Sequence, residues 1–426
     1  MVLNAASSTA STTERPIKMK NWFRIFSLTA ALFLLLPAIM AAEAVKPALP
    51  ATMTPYLQNP TAGGMTICFL AQGATDVQVA WGKDHVWFPA KTPAAGTAID
   101  GTHWTIWKVR LENLLPGKTY QYQVRYRLAD KEAATPTYRF HTLDPRAKTL
   151  HAAAFNDLHN RDAILAALMK QVKPDDFDFS ILLGDCFGDP NKKDGAFEVF
   201  RTWNAYIQLL DGASKPILFV RGNHETRGNF AGQLACLFDL PNLDAKQKWG
   251  EDHWQFTLRA GPVYFLAMDA GEDDDTKTPV DSYKNPNLWQ KVRQNETEWL
   301  KKLTAAKAGQ DATWRVFLCH IPLYNSPWIS VRARDFWAPA LREFKPDLML
   351  AGHDHAWRKT IPPTETAPWP VLVGGGPALQ GGEEGTVMLL TADRKTLKVR
   401  LLGAKDGRQL TEFNAGTEKA NEKSKD

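Results

Sequence analysis

Eight side chains of the kinds that hold metals or move protons follow apolar runs in this sequence. Asp157 and His159 come after LHAAAF, Asp185 after FSILL and a glycine, and Asn223 and His224 after PILFV. His320 comes after RVFLC, and His353 and His355 after LMLA. A lone His-x-His is a weak signal, since short motifs match by accident and a strand can end in a satisfied histidine pair. Five runs that all end this way are a constellation. Side chains two apart on extended chain point to the same side, so Asp157 and His159 can share one cation, and His353 and His355 can serve two adjacent ones. Carboxylates and imidazoles with one amide oxygen suit borderline ions such as Zn, Mn, Fe or Co. Gly184, Gly222 and Gly352 stand where a chain leaving a strand turns sharply beside such a site.

The elements that must position these groups are legible as two kinds of pattern. From about residue 149 to 413, runs that are apolar throughout (LHAAAF, FSILL, PILFV, VYFLA, RVFLC, LMLA) alternate with segments of helical period. Ile164, Leu165, Leu168, Met169 and Val172 form one such segment, and Trp299, Leu300 and Leu303 another. This predicts an α/β domain whose strands are covered on both faces. Ligands of α/β sheets bind at the carboxyl ends of strands, so the five termini are expected to converge. Residues 45–143 instead carry short strand-like segments, MTICFLA, VQVAWG, WTIWKVRL and TYQYQVRYRL, with LLPGKTY as the turn between the last two. That predicts a small all-β sandwich. The tail, 416–426, has no apolar residue larger than alanine and is expected to be disordered.

At 426 residues, 44% hydrophobic and 23% charged, the chain has the size of two domains and a globular composition. The net charge of +5 falls to +3 without the first 44 residues, and no basic stripe is present, so nucleic-acid binding is not expected. Residues 1–44 read as a leader and export signal. Lys18, Lys20 and Arg24 precede the apolar run Ile25–Met40, and Ala42-Glu43-Ala44 forms a small-x-small cleavage site. The run is 16 residues and contains Pro37, so a stable membrane span is second choice to cleavage after Ala44, leaving a periplasmic or extracellular protein. Four scattered cysteines, Cys68, Cys186, Cys236 and Cys319, predict one disulfide or none.

The ordered motifs DLH, GD, GNHE, a lone histidine after a strand, and GHDH resemble the calcineurin-like metallophosphoesterases. The preceding sandwich, fibronectin-type-III-like, together with HIPLY, resembles the purple acid phosphatase branch and its bacterial relatives. The resemblance implies a β-sandwich catalytic fold flanked by helices and two transition metals, divalent or mixed-valence (Fe, Mn, Zn or Co). It places Asp157, His159 and His355 on the first metal, Asn223, His320 and His353 on the second, and Asp185 between them. It makes His224 the general acid rather than a ligand, in hydrolysis of a small phosphorylated substrate, a monoester, by metal-bound hydroxide. The purple enzymes carry a tyrosine three residues after the bridging aspartate, where this chain has Gly188, and lack a histidine at the position of His159. A tyrosinate–iron centre is therefore not expected. Glu225, Asp189 and Asp354 are expected to support ligands, and Arg221, Arg227 and Asn160 are candidates for phosphate contacts. Phe187, Phe230, Tyr283, Tyr324, Trp328 and Trp337 are candidates to stack on a base or an aromatic leaving group, although packing is the commoner fate of such residues. A phosphodiesterase or nucleotide-directed hydrolase could use the same site. More distant alternatives are a non-catalytic binding module and another dinuclear hydrolase, although the latter families carry His-x-His early in the chain rather than last.

Overall fold

A computed structural model of the chain describes residues 49–84, 86–89, 94–241, 253–272, 288–324, 331–361 and 368–416. The proposed export signal, Tyr283, Trp328 and residues 417–426 lie outside the described residues. Residues from Leu49 onward fall in one compact unit. Among the described residues no helix is long and apolar enough to cross a membrane.

The first nine strands are β1 (Tyr56–Gln58), β2 (Met65–Gln72), β3 (Ala74–Lys83), β4 (Val86–Pro89), β5 (Ala95–Ala98), β6 (Trp104–Leu111), β7 (Thr119–Leu128), β8 (Lys131–Ala134) and β9 (Tyr138–His141). They form one sheet of order β1-β2-β6-β5 and a second of order β4-β3-β7-β8, with β9 also on β7. Met65, Ile67 and Phe69 of β2 meet Val79, Tyr122 and Val124 in the sandwich core. LLPGKTY carries the chain from one sheet to the other rather than closing a hairpin. There the Tyr120 hydroxyl accepts the Leu115 amide at 2.8 Å, the corner device of immunoglobulin-like sandwiches.

The remaining elements are β10 (Thr149–Phe155), α1 (Asp162–Gln171), β11 (Phe179–Leu183), α2 (Lys193–Leu209), β12 (Ile217–Val220), β13 (Phe256–Ala260), β14 (Val263–Ala267), α3 (Leu288–Ala305), β15 (Trp314–Leu318), α4 (Val331–Phe344), β16 (Leu348–Ala351), β17 (Arg358–Thr360), β18 (Val371–Val373), β19 (Thr386–Asp393), β20 (Thr396–Gly403) and β21 (Gln409–Gly416). They build two six-stranded sheets, β12-β11-β10-β19-β20-β21 and β13-β14-β15-β16-β18-β17. Strand alternation divides the apolar runs between two cores. Trp314, Val316 and Leu318 of β15 join the core that contains β10–β12, whereas Phe317 on the opposite face packs with Leu300, Trp337 and Leu341 of α3 and α4. This explains why those runs carry no polar alternation. The antiparallel strands β19–β21, which the run-and-helix pattern did not single out, complete the first sheet. The last of them extends to Gly416, three residues past the expected end of the domain.

The sandwich is joined to the second domain by a continuous apolar core. Cys68 and Leu70, on the far face of β2, belong to the same cluster as Phe200 and Trp203 of α2. Tyr56 meets Trp203 edge-on at 5.2 Å, and Trp104 meets Phe200 at the same distance. The buried polar groups at the seam are satisfied across it: Tyr56 Oη donates to Leu237 O at 2.6 Å, Gln58 Nε2 to Ile217 O at 2.7 Å, and Tyr122 Oη to Ala213 O at 2.8 Å.

Candidate metal centre

The strand ends β10, β11, β12, β15 and β16 bring all eight candidate residues into one cluster. Loop backbones hold it from behind. Beyond β10 and β11 the two chains continue to pair, with the Asp157 amide on Gly184 O at 3.0 Å and the His159 amide on Asp185 O at 2.8 Å. Asp157, His159, Asp185, His353 and His355 all adopt positive φ, between 47° and 74°. Each such residue costs on the order of 1 kcal/mol or more and persists only where its surroundings over-determine it. The glycines are required by space. A Cβ at Gly184 would lie 2.3 Å from the His320 ring, one at Gly222 2.3 Å from Asp185 Oδ1, and one at Gly352 2.5 Å from Asp157 Oδ2.

Each carboxylate is tied down by one oxygen and aimed with the other. Asp157 Oδ2 accepts the His353 amide at 2.8 Å and Asn156 Nδ2 at 2.6 Å, while its buried Oδ1 has no hydrogen-bond partner. Asp185 Oδ1 accepts the His224 amide at 2.9 Å, and Oδ2 lies 3.1 Å from His320 Nε2 and 3.6 Å from His159 Nε2. His320 is buried and its Nδ1 donates to Leu183 O at 2.9 Å, which turns Nε2 inward. His159 Nε2 and His355 Nε2 stand 3.1 Å apart, and His353 Nδ1 is 3.0 Å from Asn223 Oδ1. Ligand atoms within 4.8 Å of one another fall into two groups, Asp157, His159, Asp185 and His355, and Asp185, His320 and His353. Asp185 belongs to both.

Buried carboxylates and histidines shift one another strongly in this cluster. Burial raises Asp157 and Asp185, but the surrounding histidines, His320 first, outweigh it and hold both below the usual carboxylate range. Burial lowers His320, yet Asp185 and Asp157 push it up to about 10. Fully buried Glu225 accepts the amides of Gly222 at 2.8 Å, Asp185 at 2.9 Å and Phe187 at 2.9 Å, locking two ligand loops together. His224 Nδ1 is 2.7 Å from Asp189 Oδ1 and its Nε2 is 3.9 Å from Asp185 Oδ2. Burial lowers His224, but the Asp189 hydrogen bond and the Asp185 charge leave it above its ordinary value. The Asp354 side chain is buried and pairs with Arg358 at 3.1 Å.

Several expectations are corrected. Arg221 is no phosphate contact: it is buried against Asp269, with its guanidinium 4.7 Å from the Trp254 ring. Phe187, Phe230, Tyr324 and Trp337 are buried among apolar neighbours rather than presented to a substrate. The cysteines fall within the expectation of one disulfide or none: all four are free, and Cys186 and Cys319, beside candidate ligands, are buried thiols that burial pushes up. Two contributors went unnoticed in the sequence. Asn156 braces Asp157, and Glu272 grips Arg227 through hydrogen bonds of 2.8 Å to Nε and 2.8 Å to Nη2. Asn156 is adjacent to a named ligand and could have been found; Glu272 is remote in sequence and carries no motif. An open cleft of about 480 Å³, lined by Arg139, His141, His151 and Lys215 among others, lies at the opposite ends of β10–β12 from this cluster.

Comparison with known proteins agrees with this arrangement. A family model described as calcineurin-like phosphoesterase matches residues 150–357. Purple acid phosphatase 7 of Arabidopsis thaliana is 27% identical over 189 residues, 42% of this chain; the match spans 55% of that relative's length. The structure of purple acid phosphatase PPD1 from yellow lupin (Lupinus luteus) seeds superposes with a TM-score of 0.66 at 16% identity, covering 86% of this chain and 74% of that one, which establishes a shared fold. Over residues 150–357, just under half of its length, the chain is similar to the calcineurin-like phosphoesterases.

Proposed function

We propose that the chain is an exported phosphomonoesterase working through two metal ions. The observation that carries this reading is the pair of donor groups sharing Asp185, with the buried Asp157 Oδ1 and His320 Nε2 both lacking hydrogen-bond partners. Unsatisfied buried donors and acceptors are costly, so their convergence on one point argues for an ion there. Asp157, His159 and His355 would hold one metal, Asn223, His320 and His353 the other, and Asp185 both. Oxygen and imidazole donors without thiolate fit Fe, Mn, Zn or Co. When bound, such a pair polarises phosphoryl oxygens and lowers the pKa of water so that a nucleophile exists at neutral pH.

The chain's own groups do the rest. Asp189 fixes the His224 ring through Nδ1, and Nε2, which meets Arg227 Nη1 at 3.2 Å in this structure, would deliver a proton to the departing alkoxide once it is itself protonated. Glu225 keeps Asp185 and the Asn223 loop in register. The carboxylates Asp157 and Asp185 offset only part of the charge of two cations, so a dianionic phosphoryl group is attracted. The same reading assigns residues 1–44 to export, 45–143 to the sandwich and 149–413 to catalysis.

The test is the chain stripped by chelator and reloaded separately with Mn, Zn, Fe or Co, assayed on para-nitrophenyl phosphate and its bis-ester beside Asn223→Ala. Monoester turnover that vanishes in the variant supports the proposal. Turnover of the diester alone replaces it with a phosphodiesterase, and a chain that binds no metal sinks it in favour of a binding module.

A further inference from the structure

Resting on the phosphoesterase reading, we propose that Arg227 is the phosphoryl-binding donor that makes the site prefer monoesters to diesters. Its guanidinium is held as a fork on Glu272, with Nε 2.8 Å from Oε1 and Nη2 2.8 Å from Oε2. Glu272 is itself fixed. Its side chain is 1% exposed, Oε1 also accepts the Thr226 hydroxyl at 3.0 Å, and its carbonyl accepts Nη2 of buried Arg293 at 2.8 Å. A bidentate arginine on a buried carboxylate has little rotamer freedom left. The remaining nitrogen, Nη1, donates to His224 Nε2 at 3.2 Å while that ring is neutral, and protonation of Nε2, the atom that faces Asp185, would turn this N–H over to a phosphoryl oxygen. Arg227 and His224 side chains are 22% and 27% exposed, so this corner opens to solvent beside the cluster.

The arginine and glutamate form a neutral pair, so Arg227 contributes directed N–H groups rather than net charge. That distinction sets what it can recognise. A monoester presents three non-bridging oxygens that share two charges. A diester presents two, and a second carbon arm occupies the place of the third. A donor fixed beside the leaving-group histidine gains a charge-assisted hydrogen bond from the third oxygen of a monoester, and meets a weakly accepting ester oxygen or a carbon arm in a diester. The discrimination is of the kind that follows when a built hydrogen-bond donor is left unmatched.

The experiment uses the full chain loaded with Mn, comparing the parent with Arg227→Ala, Arg227→Lys and Glu272→Gln. The readouts are kcat/KM on para-nitrophenyl phosphate and on its bis-ester, calorimetric binding of inorganic phosphate, and metal content. For Arg227→Ala the monoester kcat/KM is expected to fall on the order of a hundredfold, the loss seen when one transition-state donor is removed. The diester value should fall less than about tenfold, phosphate should bind more weakly, and both metals should remain. Arg227→Lys and Glu272→Gln should fall between, and added guanidinium at non-denaturing concentration should restore part of the Arg227→Ala loss, which a purely structural role would not allow. Equal losses on both esters, or unchanged phosphate affinity, overturn the inference alone. A parent that hydrolyses neither ester with two metals bound overturns the phosphoesterase reading, and this inference with it.

Discussion

Loading the metal-free chain is expected to expel a proton from His320 well above the pH at which an ordinary histidine has already lost it. Nε2 of this buried ring lies 3.1 Å from Asp185 and 3.9 Å from Asp157, and Nδ1 is engaged by the Leu183 carbonyl. Burial works against the charged ring, but the two carboxylates prevail and set its pKa at about 10. A free histidine titrates at about 6.5 and would be neutral at pH 8. A metal ligand must be deprotonated, so each unit of pH costs or gains about tenfold in apparent metal affinity while the proton is still bound. Between about pH 7 and 9 the affinity should therefore rise on the order of a hundredfold, where an unperturbed ligand would give a plateau. Calorimetric titration of Mn into the stripped chain, in buffers of different ionisation enthalpy at about pH 8, counts the released protons directly; His320→Asn removes the one in question.

The same proton sets a stability difference of definite sign. The folded-state pKa lies above the unfolded one, so the contribution is complete below about pH 6.5 and fades as pH rises toward 10. About 2 kcal/mol should be gone by about pH 8 in the metal-free chain, and not in the loaded one. Metal affinity that is flat across this range, with no proton released, would refute the placement of His320 between two ionised carboxylates.

Three further outcomes follow from particular contacts. Asp189→Asn removes a group that raises His224, so the alkaline limb of kcat/KM should move to lower pH, the half-exposed aspartate limiting the effect; an unmoved limb would exclude His224 as the titrating acid. Glu225→Gln can keep the Gly222 and Asp185 amides on its oxygen but turns an NH₂ toward the Phe187 amide, which should cost about 2 kcal/mol in urea unfolding of the metal-free chain. Equal stability of variant and parent would count against the clamp. Trp203→Ala should cost about 3–5 kcal/mol and leave one cooperative transition, because Trp203 lies in the core shared by sandwich and catalytic domain; two separate transitions would show the domains to be independent.

What could be read from the sequence and what could not divide along the range of the interactions. Strand ends were legible because an apolar run that stops at Asp157, Asp185 or His353 records a local event, the chain leaving a buried sheet for a polar crevice. The glycines were legible for the same reason, as neighbours of a ligand in the chain. The supports were not. Glu272 reaches Arg227 from the loop after β14, and nothing in either segment encodes that meeting. The stacking candidates failed because an aromatic residue in a loop has the same composition whether it faces a ligand or, like Phe187 beside Trp203 and Tyr206, fills the space beneath one. Strand β2 departs from simple alternation because its outer face is also buried, against a helix more than a hundred residues later. The candidate metal centre is itself a cross-sheet object. Asp157, Asp185 and Asn223 come from one six-stranded sheet, and His320, His353 and His355 from the other. Each candidate ligand is therefore specified locally, while the distance between the two halves is set by the packing of Val316, Leu318 and Leu350 against the first sheet. Truncating those apolar side chains should loosen the cluster without touching a candidate ligand, which makes the core between the sheets part of the candidate metal centre in a mechanical sense.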